Sequence, residues 1–171
     1  MLNVTLRACA LSLPMVVAFP VAAQDSRPAV TATSPDGSIA LTVSTDNDSR
    51  PVWSLSRKGK LLIAPSKLGF ILTDGLNMVR GFAIAGSEKG SGKDRWEQPW
   101  GERRFVTDNH NELLVRFKQS DVQGARLMNV RFRLFDDGVG FRYELPEQPG
   151  LKTMRITDET TEFDIAPEGT A

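Results

Sequence analysis

The residues in this chain whose types and spacing best suit chemistry lie together in Asp94-Arg95-Trp96-Glu97-Gln98-Pro99-Trp100-Gly101-Glu102, a Pro- and Gly-containing segment that reads as a loop. It holds two of the three tryptophans. An indole beside a carboxylate is what sugar recognition uses, because the apolar face of a pyranose packs on an aromatic ring while its hydroxyls need polar partners. Trp96, Trp100 and Glu102 are therefore the candidate substrate-binding residues. The opposing reading has both indoles closing one end of a core, where large aromatics usually serve.

Other chemistries find little support. The one histidine, His110, sits among turn formers in Thr107-Asp-Asn-His-Asn-Glu112 and reads as a loop-tip residue, so a multi-histidine metal site is excluded. Gly-x-Ser-x-Gly, dinucleotide and P-loop glycine fingerprints and an acidic EF-hand spacing are all missing from the sequence. Glycosidase chemistry needs two carboxylates across a cleft, which sequence spacing alone does not reveal. Lys plus Arg is 21 and Asp plus Glu is 21, a balance that argues against nucleic acid and against blanket attraction to an anionic membrane surface.

The elements that must position these residues read as strands. Ser34-Pro35-Asp36-Gly37 is a turn between Val30–Thr33 and Ile39–Val43, two alternating β-branched runs. Val52–Ser56, Leu61–Ile63 and residues 68–73 continue the pattern, and residues 86–94, with three glycines and mixed charge, read as a loop before strands at Arg103–Thr107 and Glu112–Phe117. In residues 129–145, Asp137-Gly138 as a two-residue turn places Leu134 opposite Phe141, Phe132 opposite Tyr143 and Val130 opposite Leu145. On the other side of that hairpin Arg131 then faces Glu144, while Arg133 faces Arg142. Two opposed arginines repel unless an acid from another element lies between them; they read either as a solvated face or as a seat for an anion. Short strands at such spacing make an all-β sandwich or barrel.

The first residues follow a different logic. One positive charge in Met1–Arg7, an apolar run over Ala8–Ala18 and small residues before Gln24 form the pattern of a secretory signal cleaved after Ala23. The run is too short for the ~20 residues of a membrane span, and Pro14 and Pro20 interrupt it. Cleavage removes Arg7 and the only cysteine, Cys9, leaving 20 basic against 21 acidic residues and no thiol chemistry. An exported domain without disulfides suits the bacterial periplasm.

In order along the chain, Ser34-Pro-Asp-Gly-Ser-Ile-Ala-Leu-Thr-Val43, Lys67-Leu-Gly-Phe70, Trp96-Glu-Gln-Pro-Trp-Gly-Glu102, Asn111-Glu-Leu113, Phe132-Arg-Leu-Phe-Asp-Asp-Gly-Val-Gly-Phe-Arg-Tyr143 and Asp158-Glu-Thr-Thr-Glu-Phe163 resemble the N-terminal domain of glycoside hydrolase family 97. The resemblance implies a β-supersandwich of the galactose-mutarotase-like type, followed in complete members by a (β/α)8 barrel and a C-terminal all-β domain. It implies calcium-dependent hydrolysis of α-glucosides, with inversion, or of α-galactosides, with retention. The family's catalytic carboxylates sit on the barrel, and its calcium-binding glutamate from this domain follows the Thr-Glu-Phe motif, so no catalytic residue and no metal ligand is assigned among these residues. The expected organisation is a signal peptide over 1–23 and a partial, truncated N-terminal sandwich over 24–171, inactive alone, with calcium and carbohydrate bound by the complete enzyme. The alternative is a free-standing periplasmic carbohydrate-binding or structural module.

Overall fold

The computed structural model describes residues 28–73, 77–120, 126–149 and 151–167; the signal-peptide segment, Cys9 and the Asp74-Gly75 turn lie outside them. Ten strands and no helix are found among the described residues: β1 Val30–Thr33, β2 Ile39–Thr45, β3 Pro51–Arg57, β4 Lys60–Lys67, β5 Phe70–Leu72, β6 Phe82–Glu97, β7 Phe105–Gln119, β8 Arg126–Leu134, β9 Val139–Glu144 and β10 Ile156–Glu159. They form antiparallel sheets in the orders β1-β2-β3-β4, β10-β5 and β6-β7-β8-β9. The expected all-β sandwich is what the chain adopts.

Alternation decides which faces meet. Leu41 and Val43 of β2 and Trp53 of β3 pack in one core with Leu113, Val115 and Phe117 of β7 and Met128, Val130 and Phe132 of β8, all of them almost fully buried. The Trp53 ring lies 6.2 Å from that of Phe132 and 5.4 Å from that of Phe141, joining the two four-stranded sheets. The first hairpin has the expected turn, with Val30 opposite Val43 and Thr33 opposite Ala40. Its turn is clasped to the β8–β9 turn by a hydrogen bond from the Asp36 amide to Asp136 Oδ1, 2.9 Å.

Two expectations about elements are corrected. Residues 86–94 are strand, inside the 16-residue β6, which pairs with β7 from Phe82 opposite Gln119 to Glu97 opposite Phe105. Glycine serves close approach there: a Cβ on Gly92 would come within 2.5 Å of His110 Cε1 across the ladder. The β8–β9 hairpin is also shifted by two residues, with Val130 opposite Tyr143, Phe132 opposite Phe141 and Leu134 opposite Val139. Residues 135–138 form a longer connection, closed by the Phe135 amide donating to Gly138 O at 2.8 Å. A two-residue type I′ turn requires positive φ at Gly138, and Gly138 is not among the glycines with positive φ. Asp136 is drawn toward the first hairpin and the Phe135 ring onto His110, 5.5 Å between centroids, so both leave the ladder. An even shift preserves the faces, and Phe132 is fully buried as expected.

Candidate functional site

β7 pairs with β8 only from Asn111 to Gln119, while its pairing with β6 continues to Phe105. The stretch from Gly92 to Glu97 and from Phe105 to His110 is thus a two-stranded ribbon that runs past the sheet, and the candidate residues sit at its end. Asp94–Glu97 belong to β6 rather than to a loop, so only residues 98–104 turn. Free ribbons are marginal in water, and this one carries its own fastenings. The Gln98 amide donates to Arg104 O at 2.9 Å, Gln98 Nε2 donates to Arg103 O at 3.0 Å, and Arg104 Nε donates to Glu97 Oε1 at 2.7 Å. The Arg95 guanidinium lies 4.3 Å from the centroid of Phe105, close enough for a cation–π contact.

Trp96 is 45% exposed and Trp100 77% exposed, and Glu102 is exposed without a hydrogen-bond or ion-pair partner among the described residues. The indole that closes the core is Trp53, at 1%. Trp96 and Trp100 therefore do not serve the sandwich interior. The end of the ribbon presents two indoles, Trp96 from β6 and Trp100 from the turn, and an unpaired carboxylate to solvent on a fastened support, which suits it to lie against a polyhydroxylated ligand or a neighbouring domain.

His110 is not at a loop tip. It lies within β7, 7% exposed, between the bare backbone of Gly92 and the Phe135 ring, and its Nδ1 bonds Asp108 Oδ1. Its turn-forming neighbours pair instead with β6, which sequence-local reasoning missed because that ladder is non-local. The opposed arginines are Arg131 and Arg142, not Arg133 and Arg142, as the shifted register requires. Acids do lie between them. Arg131 Nε donates to Glu144 Oε1 at 2.6 Å, its Nη1 bonds Glu112 Oε1, and Arg142 Nε donates to Glu144 Oε1 at 2.9 Å. Arg133 Nε reaches Glu112 Oε2 at 3.3 Å. The hydrogen bond from Arg131 holds the Glu144 carboxyl down at about 2, and the same pairing raises Arg131 above its ordinary value. The chain's own glutamates thus occupy the seat that an external anion was read to need.

A second constellation was not singled out from the sequence as a unit. Lys67 Nζ donates to Glu162 Oε1 at 2.8 Å and the Glu162 amide donates to Lys67 O at 2.9 Å, so residues 160–166 run along the β4–β5 side of the fold. Lys67 lowers the Glu162 pKa. Tyr143 Oη, 2.7 Å from Thr161 Oγ1, is pushed up to about 12 by burial. Gly69 fits only as glycine: its φ is 152° and an added Cβ would meet Met78 O at 2.4 Å. No group of three or more His, Cys, Asp or Glu suited to a metal ion occurs among the described residues.

The family described as Glycosyl-hydrolase 97 N-terminal matches residues 32–171. A probable retaining alpha-galactosidase of Streptomyces bingchenggensis is 31% identical over 94% of this chain and 24% of its own length. A retaining alpha-galactosidase of Bacteroides thetaiotaomicron is 23% identical over 82% of this chain and 20% of its own. Among solved structures, a Glycoside Hydrolase Family 97 enzyme from Pseudoalteromonas sp. strain K8, determined with panose and with acarbose, superposes with a TM-score of 0.76 at 42% identity. That likeness covers 81% of this chain and 20% of the enzyme. The chain spans about a quarter or less of the length of the relatives it matches.

Proposed function

The chain belongs to glycoside hydrolase family 97 through the N-terminal domain, and from that premise we propose that it is the β-sandwich portion of an exported, calcium-dependent α-glycosidase. In this reading it supports the sugar site of a catalytic barrel and hydrolyses nothing alone. The observation that carries the reading is the family match across residues 32–171, which takes in nearly the whole described sandwich. The substrate class is an α-glucoside or α-galactoside, in keeping with the names of the galactosidase relatives and with the panose and acarbose complexes. Calcium binds in the complete enzyme, through ligands outside the described residues. Residues 1–23 direct export to the periplasm and are removed after Ala23.

Within that enzyme the β6–β7 turn points toward the barrel, where Trp96 and Trp100 pack against the sugar or the walls of its site and Glu102 accepts from a hydroxyl. The exposure of both indoles and the unpaired carboxylate support this placement. A free-standing carbohydrate-binding module would use the same residues, and activity separates the two. The chain expressed from Met1 should begin at Gln24 after export and show no turnover of nitrophenyl α-glucoside or α-galactoside, with or without calcium. With this sandwich joined to the barrel of a family enzyme, Trp100→Ala and Glu102→Gln should each lower kcat/KM by about tenfold while leaving the melting temperature in place. Equal loss of stability and activity would return both residues to a structural role.

A further inference from the structure

At the edge of the large sheet opposite the β6–β7 ribbon, residues 159–163 come alongside β9 and leave an open groove of about 570 Å³, within the size range of small-molecule sites. One wall is Gly140, Phe141 and Tyr143; the other is Glu159, Thr161 and Phe163. The backbone fixes both walls. The Thr160 amide donates to Gly69 O at 2.9 Å, and the Gly69 amide donates to Tyr143 Oη at 3.3 Å.

The polar side of the groove is a directed chain. Thr161 Oγ1 donates to Glu159 Oε1 at 2.5 Å, which spends its proton, so the Tyr143 hydroxyl is the donor in its 2.7 Å bond to Thr161. The chain ends on an exposed carboxylate. The aromatic side is a platform: Phe163 is 57% exposed, and its ring stacks on that of Phe141 at 28° with 6.0 Å between centroids.

An apolar ligand would leave Glu159 and its hydroxyl chain unused, and an anion would meet the Glu159 charge. A neutral polyhydroxylated ring uses both sides, its C–H face on Phe163 and its hydroxyls toward Glu159. We propose that this groove binds a pyranose unit of an oligosaccharide, at a site separate from the ribbon turn. The site does not depend on Trp96, Trp100 or Glu102 touching sugar.

Saturation-transfer NMR on the full chain, with maltotriose and melibiose as probes, tests this and tolerates weak binding and oligomers. Transfer to sugar C–H protons is expected for at least one probe. In a Trp96→Ala, Trp100→Ala background, which removes any share of the ribbon turn, transfer should persist, and there Phe163→Ala and Glu159→Gln should each weaken it by about tenfold. Glu159 is exposed and its replacement is nearly isosteric, so circular dichroism should show the native fold in that variant. No transfer to either sugar, transfer lost in the ribbon background, or transfer undiminished there by the groove substitutions overturns the proposal. So does self-association abolished by Phe163→Ala without sugar transfer in any form, which would make the groove a polypeptide interface.

Discussion

Glu144 shows how much a single residue can tie together. It is the acid between the opposed guanidinium groups of Arg131 and Arg142, and it joins β8 to β9 on the outer face while Phe132 and Phe141 join them on the inner one. Its pKa is lowered from 4.5 to about 2, first by the hydrogen bond from Arg131. A folded-state pKa below the unfolded one means that this contribution is fully present above about 4.5 and is lost as pH falls through about 2. Glu144→Gln should therefore lower stability at neutral pH and flatten its decline across that acid window, as measured by urea melts at stepped pH. A decline as steep as that of the unsubstituted chain would mean that other carboxylates dominate acid unfolding.

Among the elements, the β6–β7 ribbon depends on what its glycines leave out. Gly92 lies opposite His110, and the ring occupies the space a side chain would fill. His110 is also held by Asp108 and capped by Phe135, so it has little room to give. Gly92→Ala should destabilise the sandwich by about 1–3 kcal/mol, the range for overpacking. In a His110→Ala background the same change should cost far less, because the clash partner is gone; a double-mutant cycle by chemical denaturation reads the difference. Additive costs would show that backbone effects, rather than the ring, set the glycine requirement.

For the whole molecule, the pattern of exposure matters more than any one contact. Ile156 and Ile165 lie exposed in the last described segment, and β9 pairs on one side only among the described residues. Exposed apolar side chains beside an open strand edge favour association. Residues 24–171 alone should run as oligomers in size-exclusion chromatography, with Ile156→Ser and Ile165→Ser shifting them toward monomer. Appending the rest of the N-terminal domain from a full-length family enzyme should do the same. A sharp monomer peak with a cooperative melt above about 50 °C, typical of intact mesophile domains, would show that these surfaces need no cover.

Much of this architecture was legible from local signals. Alternation in Ile39–Val43 and the Ser34–Gly37 turn are properties of neighbouring residues, so the strands and turn of the first hairpin could be read directly. The inward set of β8 was equally plain, because side-chain parity survives a two-residue slip. The ordered motifs carry the family resemblance in the sequence itself. Tertiary structure alone decided what depends on distant partners. Gly86–Asp94 looks like a loop until β7 supplies a ladder for it. Trp96 and Trp100 were as suited to a core as to a ligand until Trp53 was found in that core and both of them outside it. Only the true register sets Arg131 against Arg142 with Glu144 between them, Glu112 reaches Arg131 from β7, and the Tyr143–Thr161–Glu159 chain exists only because β9 and the segment after β10 meet in space. Each of these is a pairing between residues far apart in sequence, which the fold itself must close before either partner has a defined role.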